Sequence, residues 1–85
     1  MTMAELEFKL DILNTDISDL DIYYGEEVSE NNAISCWEEG GVWFLQKVND
    51  EGEKSIQSGP EEEILDKLYS HIKFRHRIKV AESPK

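Results

Sequence analysis

The side chains here that could do chemistry are two histidines, one cysteine and a series of adjacent carboxylates. His71 and His76 stand five residues apart. That is not the one-turn spacing that sets two imidazoles on one helix face, and no cysteine or acidic ligand set lies beside them in sequence. They read as solvated or capping residues. Cys36 is alone, so the chain has neither an intrachain disulfide nor a CxxC pair. Glu26-Glu27, Glu38-Glu39, Asp50-Glu51 and Glu61-Glu62-Glu63 are raw material for Ca²⁺ binding or for acid–base work. The EF-hand pattern is missing, however, and these groups fall at turns and helix starts, where an exposed carboxylate makes a poor general acid. There is no GxSxG and no phosphate loop, because no helix start follows Gly40-Gly41. The expectation is a protein that is not an enzyme, holds no metal or cofactor, and acts by binding.

Charge narrows the partner. Nineteen acids and nine bases give a formal charge of −10 over 85 residues. Bare nucleic acid and anionic membranes are unsuitable partners, since both require Lys and Arg to meet phosphates. A basic protein is the natural partner, because opposite fields steer encounter. Solubility alone is the simpler account of the acidity. The charge is segregated: residues 1 to 66 carry eighteen acids and three bases, a balance of −15, and residues 67 to 85 carry six bases and one acid, a balance of +5. The acidic N-terminus and the lack of a long apolar run predict neither a signal peptide nor a membrane span. With a free cysteine and no disulfide, the expected location is the cytoplasm.

The elements that must position these residues are those of one small domain, with residues 1–72 as its core and 73–85 as a basic C-terminal extension. A chain this short buries only roughly 60% of its unfolded surface, which leaves little room for a deep polar site. Thr2 and Glu5 form a capping-box pair, and Met3, Leu6, Leu10, Leu13 and Ile17 recur at helical spacing, which predicts a helix over 2–14. The same stretch also alternates at Leu6, Phe8, Leu10 and Ile12 as a strand would. Leu20 to Tyr24 is a short strand stopped by Gly25, and Glu26 to Asn32 is a polar connection. Ala33–Trp37 and Val42–Val48 flank Glu38-Glu39-Gly40-Gly41 as a β-hairpin. Asn49 to Gly52 is a second turn, and Glu53–Gln57 a third strand whose one strong apolar residue, Ile56, suits an edge. Pro60 and the three glutamates after it start a helix with Ile64, Leu65, Leu68, Tyr69 and Ile72 on one face. In the tail, Arg75, Arg77 and Lys79 alternate with His76, Ile78 and Val80. That suits a strand or extended arm, although a final helical turn or a tail lying on the acidic body is the simpler reading. The fold class is α+β: an N-terminal helix, a three- to four-stranded antiparallel β-meander and a C-terminal helix packed on one face.

Hairpin parity locates a binding face. Ile34, Cys36, Trp43 and Leu45 share one side and are assigned to the core; Trp37, Val42 and Phe44 then face solvent beside Glu38 and Glu39. Aromatic anchors with a charged rim are what an interface needs, unless the first segment or the tail covers them. Tyr23 and Tyr24 should point to opposite sides, with Glu26, Glu27 and Glu30 following. The candidate partner-binding residues are Tyr23, Tyr24, Glu26, Glu27, Glu30, Trp37, Glu38, Glu39, Phe44, Asp50 and Glu51.

The run Cys36-Trp37-Glu38-Glu39-Gly40-Gly41-Val42-Trp43, then Asn49-Asp50-Glu51-Gly52, then Glu61-Glu62-Glu63-Ile64, resembles small immunity proteins encoded beside bacterial polymorphic toxins, including those of contact-dependent growth inhibition. The resemblance spans about residues 3 to 72 by order of elements. The chain departs from it in having Ser58-Gly59-Pro60 where an aromatic precedes the last helix, and in its basic tail. The resemblance implies a cytoplasmic protein that blocks one cognate toxin, often a nuclease, in a 1:1 complex. A basic nuclease that grips nucleic acid would call for an acidic inhibitor whose carboxylates stand in for phosphates. The alternative is a small acidic adaptor or nucleic-acid mimic that binds a non-toxin basic protein.

Overall fold

A computed structural model describes residues 1–82. The first segment is helical: α1 spans Met3–Leu13. Its start is set by Thr2, whose Oγ accepts from the Glu5 N–H at 3.2 Å, while the Glu5 carboxylate reaches back to the Thr2 hydroxyl at 3.4 Å. Asn14 ends it in the left-handed region, φ 51°, which Asn tolerates through its short polar side chain. Leu6 is buried and Met3, Leu10 and Leu13 pack around it, so the helical stripe wins over the strand alternation; Phe8 and Ile12 are left exposed on the far side. A 3-10 turn, Ile17–Leu20, follows, capped by Asp16 accepting from the Ser18 N–H and hydroxyl at 3.0 and 2.9 Å.

Four strands form one sheet in sequence order: β1 Ile22–Tyr24, β2 Ile34–Glu39, β3 Val42–Val48 and β4 Lys54–Gly59. β2, β3 and β4 are the expected antiparallel meander, but β1 runs parallel to β2, with Ile22 opposite Ile34, so the sheet is mixed. Parallel neighbours normally need a crossover of a dozen or more residues. Here β1 is only three residues, about 10 Å at the usual rise, so the short connection after Gly25 suffices to carry the chain back. Gly40 and Gly41, with φ of 57° and 84°, make the two-residue hairpin turn that the strand twist favours.

α2 runs unbroken from Glu61 to Glu82. Ile64, Leu65, Leu68 and Ile72 bury one face of it against Leu6, Leu20, Ile22, Ile34, Cys36 and Leu45, with Trp43 and Tyr69 packed on that core. Both helices therefore lie on the same side of the sheet. Of the basic extension 73–85, Lys73 to Glu82 is the second half of α2, the helical reading rather than the strand or arm, and residues 83–85 lie outside the described residues. A helix already nucleated over 61–72 extends at little cost. At helical spacing Arg75 and Lys79 continue the inward row of Leu68 and Ile72. Where the apolar core ends, they meet the acidic 3-10 turn: the Arg75 guanidinium donates to the Leu20 and Asp21 carbonyls at 2.8 and 3.3 Å, and Lys79 donates to the Asp19 carbonyl at 3.4 Å.

Candidate protein-binding face

The sheet side away from the helices is built by hairpin parity as expected. Trp37 stands opposite Phe44, and their rings stack at 5.5 Å with 16° between planes. The Trp37 indole N–H donates to the Glu39 carboxylate at 3.0 Å, which locks the ring. Val42, 42% exposed, flanks the pair. Neither α1 nor the end of α2 reaches this side. A rigid aromatic pair loses little rotamer freedom when a partner covers it, which is what makes an economical anchor.

What covers part of this side is the β1–β2 connection. The Val28 N–H donates to the Ser35 hydroxyl at 3.2 Å and its carbonyl accepts from the Gln46 amide at 3.2 Å. Ser35 and Gln46 stand opposite one another on β2 and β3 and are fully buried. Gln46 Oε1 has no hydrogen-bond partner among the described residues. The connection is thereby held against the same sheet side as the Trp37–Phe44 stack, with Glu26, Glu27 and Glu30 exposed. Asn31 extends the tie, donating to the Asp50 carbonyl at 3.1 Å. Sequence reasoning assigned no role to Ser35 and Gln46; two polar residues at facing positions of a hairpin are the signal that something polar crosses over them.

The remaining candidates divide. Tyr23, opposite Ser35, shares the open side and is half-buried; burial first, then the Glu30 and Asp21 carboxylates, push its hydroxyl pKa up. Tyr24 faces the helix side, against Trp43 at 6.1 Å. Its pKa is also raised, by burial first and then by the neighbouring thiol of Cys36 and the carboxylates of Glu38, Glu61 and Glu7. Glu38 is turned back on its own hairpin, accepting the Gly41 N–H at 2.7 Å. Asp50 and Glu51 sit at the opposite end of the sheet, in the β3–β4 turn that Asn49 organises by accepting the Glu51 and Glu53 N–H groups at 2.9 Å. The open face thus gathers Tyr23, Glu26, Glu27, Glu30, Trp37, Glu39 and Phe44. Tyr24 and Glu38 lie round the hairpin end, and Asp50 and Glu51 at the far turn.

The basic half of α2 lines a different surface. An open cleft of about 380 Å³ lies between it and the 3-10 turn, walled by Asp19, Asp21, Asn32, Arg75, Ile78 and Lys79. Burial works against the Arg75 charge while the Asp21 carboxylate favours it. His71, half-buried, has its pKa lowered by burial and then by the charges of Lys47 and Arg75. Among the described residues no group of three or more His, Cys, Asp and Glu side chains is placed to hold a metal ion, and no helix is long and apolar enough to cross a membrane.

Comparison with protein-family models, with curated proteins and with solved structures yields no match to this chain. The fold and face define a small α+β domain with one aromatic, acid-rimmed sheet side.

Proposed function

We propose that this chain is an immunity protein that binds a cognate bacterial toxin, a basic nuclease domain, in a 1:1 complex in the cytoplasm and occludes its active site. The observation that carries this reading is the locked Trp37–Phe44 stack on the side of the sheet that the helices leave open, with Glu39 beside it and the exposed carboxylates of the 26–32 connection on the same side. Aromatic anchors supply affinity, and the carboxylates supply steering and mimic the charge of the displaced substrate. Neither residue belongs to the hydrophobic core, so both can be changed without unfolding the protein.

The test is co-expression with the product of the neighbouring gene. Protection from a toxic neighbour is expected, and affinity in vitro should fall as salt rises. Phe44→Ala and Trp37→Ala should each weaken binding about tenfold or more, with circular dichroism unchanged. A non-toxic neighbour, absence of protection, or full protection by the double variant would refute the assignment.

A further inference from the structure

β4 closes the sheet on one side. It pairs with β3 along its whole length, from Lys54 opposite Val48 to Gly59 opposite Trp43, and among the described residues nothing pairs with its other edge. Residues 54 to 58 are all exposed, and Ile56 is 56% exposed. Natural sheets blunt such an edge with proline, a bulge or charge within the strand. Here the register is unbroken, Pro60 falls after the strand, and Lys54 is its one charge.

The acids stand at the two ends instead: Asp50, Glu51 and Glu53 before the strand, Glu61, Glu62 and Glu63 after it. Pairing β4 with a second copy in antiparallel sense sets one cluster against the other; pairing in parallel sets each against itself. Both arrangements place carboxylates beside carboxylates, which repels. A foreign strand with cations at both ends meets an excess of carboxylates at each, offset in part by Lys54 at one end and at the other by Lys67, 3.4 Å from Glu63 and donating to Gln57 Oε1 at 3.0 Å. Its central side chains would meet Ile56, which stands opposite Gln46 on the same sheet side as Phe44.

We propose that β4 is the edge to which the protein partner adds a strand, apolar at its centre and cationic at both ends, so that main-chain hydrogen bonds extend the sheet beside the aromatic face. This rests on the reading of a basic protein partner and adds how that partner is held.

The probe is a short synthetic peptide with lysine or arginine at both ends and alternating threonine and valine between, added to the whole protein. Amide hydrogen exchange should slow about tenfold or more at β4 on saturation, and an acid-ended version of the peptide should bind at least about tenfold more weakly. A peptide N-methylated at alternate amides, which cannot complete the ladder, should lose binding. The Trp37→Ala/Phe44→Ala double variant should keep it. Equal binding of the N-methylated peptide, protection confined to the open face, no binding, or dimerisation of the protein through β4 overturns the proposal. The two ideas fail separately. If the double variant still protects against the toxin while the peptide docks on β4, the aromatic-face reading falls and the strand stands. If protection depends on Trp37 and Phe44 and β4 stays unprotected, only the strand falls.

Discussion

Replacing Arg75 by methionine tests whether the basic end of α2 is structural. The substitution keeps most of the aliphatic stem and its packing but removes the donors. Arg75 donates to the Leu20 carbonyl at 2.8 Å and to the Asp21 carbonyl at 3.3 Å. The Asp21 carbonyl also accepts the Ile34 N–H at 2.9 Å, so it keeps a partner and the loss falls on Leu20. A hydrogen bond from a charged donor contributes roughly 1.5–3 kcal/mol; water reaches this half-buried site, which favours the lower end, about 1.5 kcal/mol. For a domain of this size that corresponds to a Tm lowered by roughly 6–12 °C. Lys79 is the control. Its carboxylate partner Asp19 is 4.0 Å away and both side chains are more than half exposed, at 53% and 63%, so Lys79→Met should cost only about 0–0.5 kcal/mol. Urea unfolding followed by fluorescence of Trp37 and Trp43 measures both variants. If Arg75→Met unfolds with the wild-type midpoint, or loses no more than the roughly 0–0.5 kcal/mol expected of the Lys79 control, Arg75 does not hold the 3-10 turn and the basic helix end is available to a partner.

Two further outcomes follow from buried and strained positions. The Cys36 thiol is fully buried, and burial pushes its pKa from 9.0 up to about 11. The unfolded chain therefore releases this proton first as pH rises, and this thiol should lower stability between about pH 9 and pH 11 by roughly 3 kcal/mol; Cys36→Ala should make the alkaline slope shallower, leaving the part that Tyr23 and Tyr24 contribute, and an unchanged slope would refute the assignment. At the hairpin turn a Cβ on Gly40 or Gly41 would meet nothing within 4 Å, so any cost there is torsional. Gly41→Ala, forced to a φ of 84°, should destabilise by about 1–2 kcal/mol, whereas Gly40→Asn at 57° should be tolerated; equal thermal midpoints for the two variants would contradict this.

Much of the molecule was legible where local chemistry decides. Thr2 with Glu5 marked a helix start, Glu38-Glu39-Gly40-Gly41 a hairpin turn of even length, which the structure shortens to Gly40-Gly41 by pairing Glu39 with Val42, and the spacing of Ile64, Leu65, Leu68 and Ile72 a buried helix face. Each of these signals acts within one or two turns of chain. Hairpin parity placed Trp37 and Phe44 together on one side and Cys36 and Leu45 on the other, because alternation is a property of the strand itself. The segment 2–14 carried both periods, and only packing of Leu6 into the core chose the helical one.

Tertiary structure alone decided the rest. Residues 22 to 24 read as a strand, but the direction of its pairing depended on where the 25–33 connection ran. That connection also set how much of the aromatic side stays open, by settling Val28 onto Ser35 and Gln46. Alternation split Tyr23 from Tyr24 without saying which turned outward. Arg75 and Lys79 alternate with apolar neighbours as a strand would, yet they continue a helix, because the residues they meet belong to the 3-10 turn more than fifty positions earlier. Composition set the acidity of this protein; the long-range contacts determined which carboxylates share the sheet side of the Trp37–Phe44 stack and left β4 as an open edge.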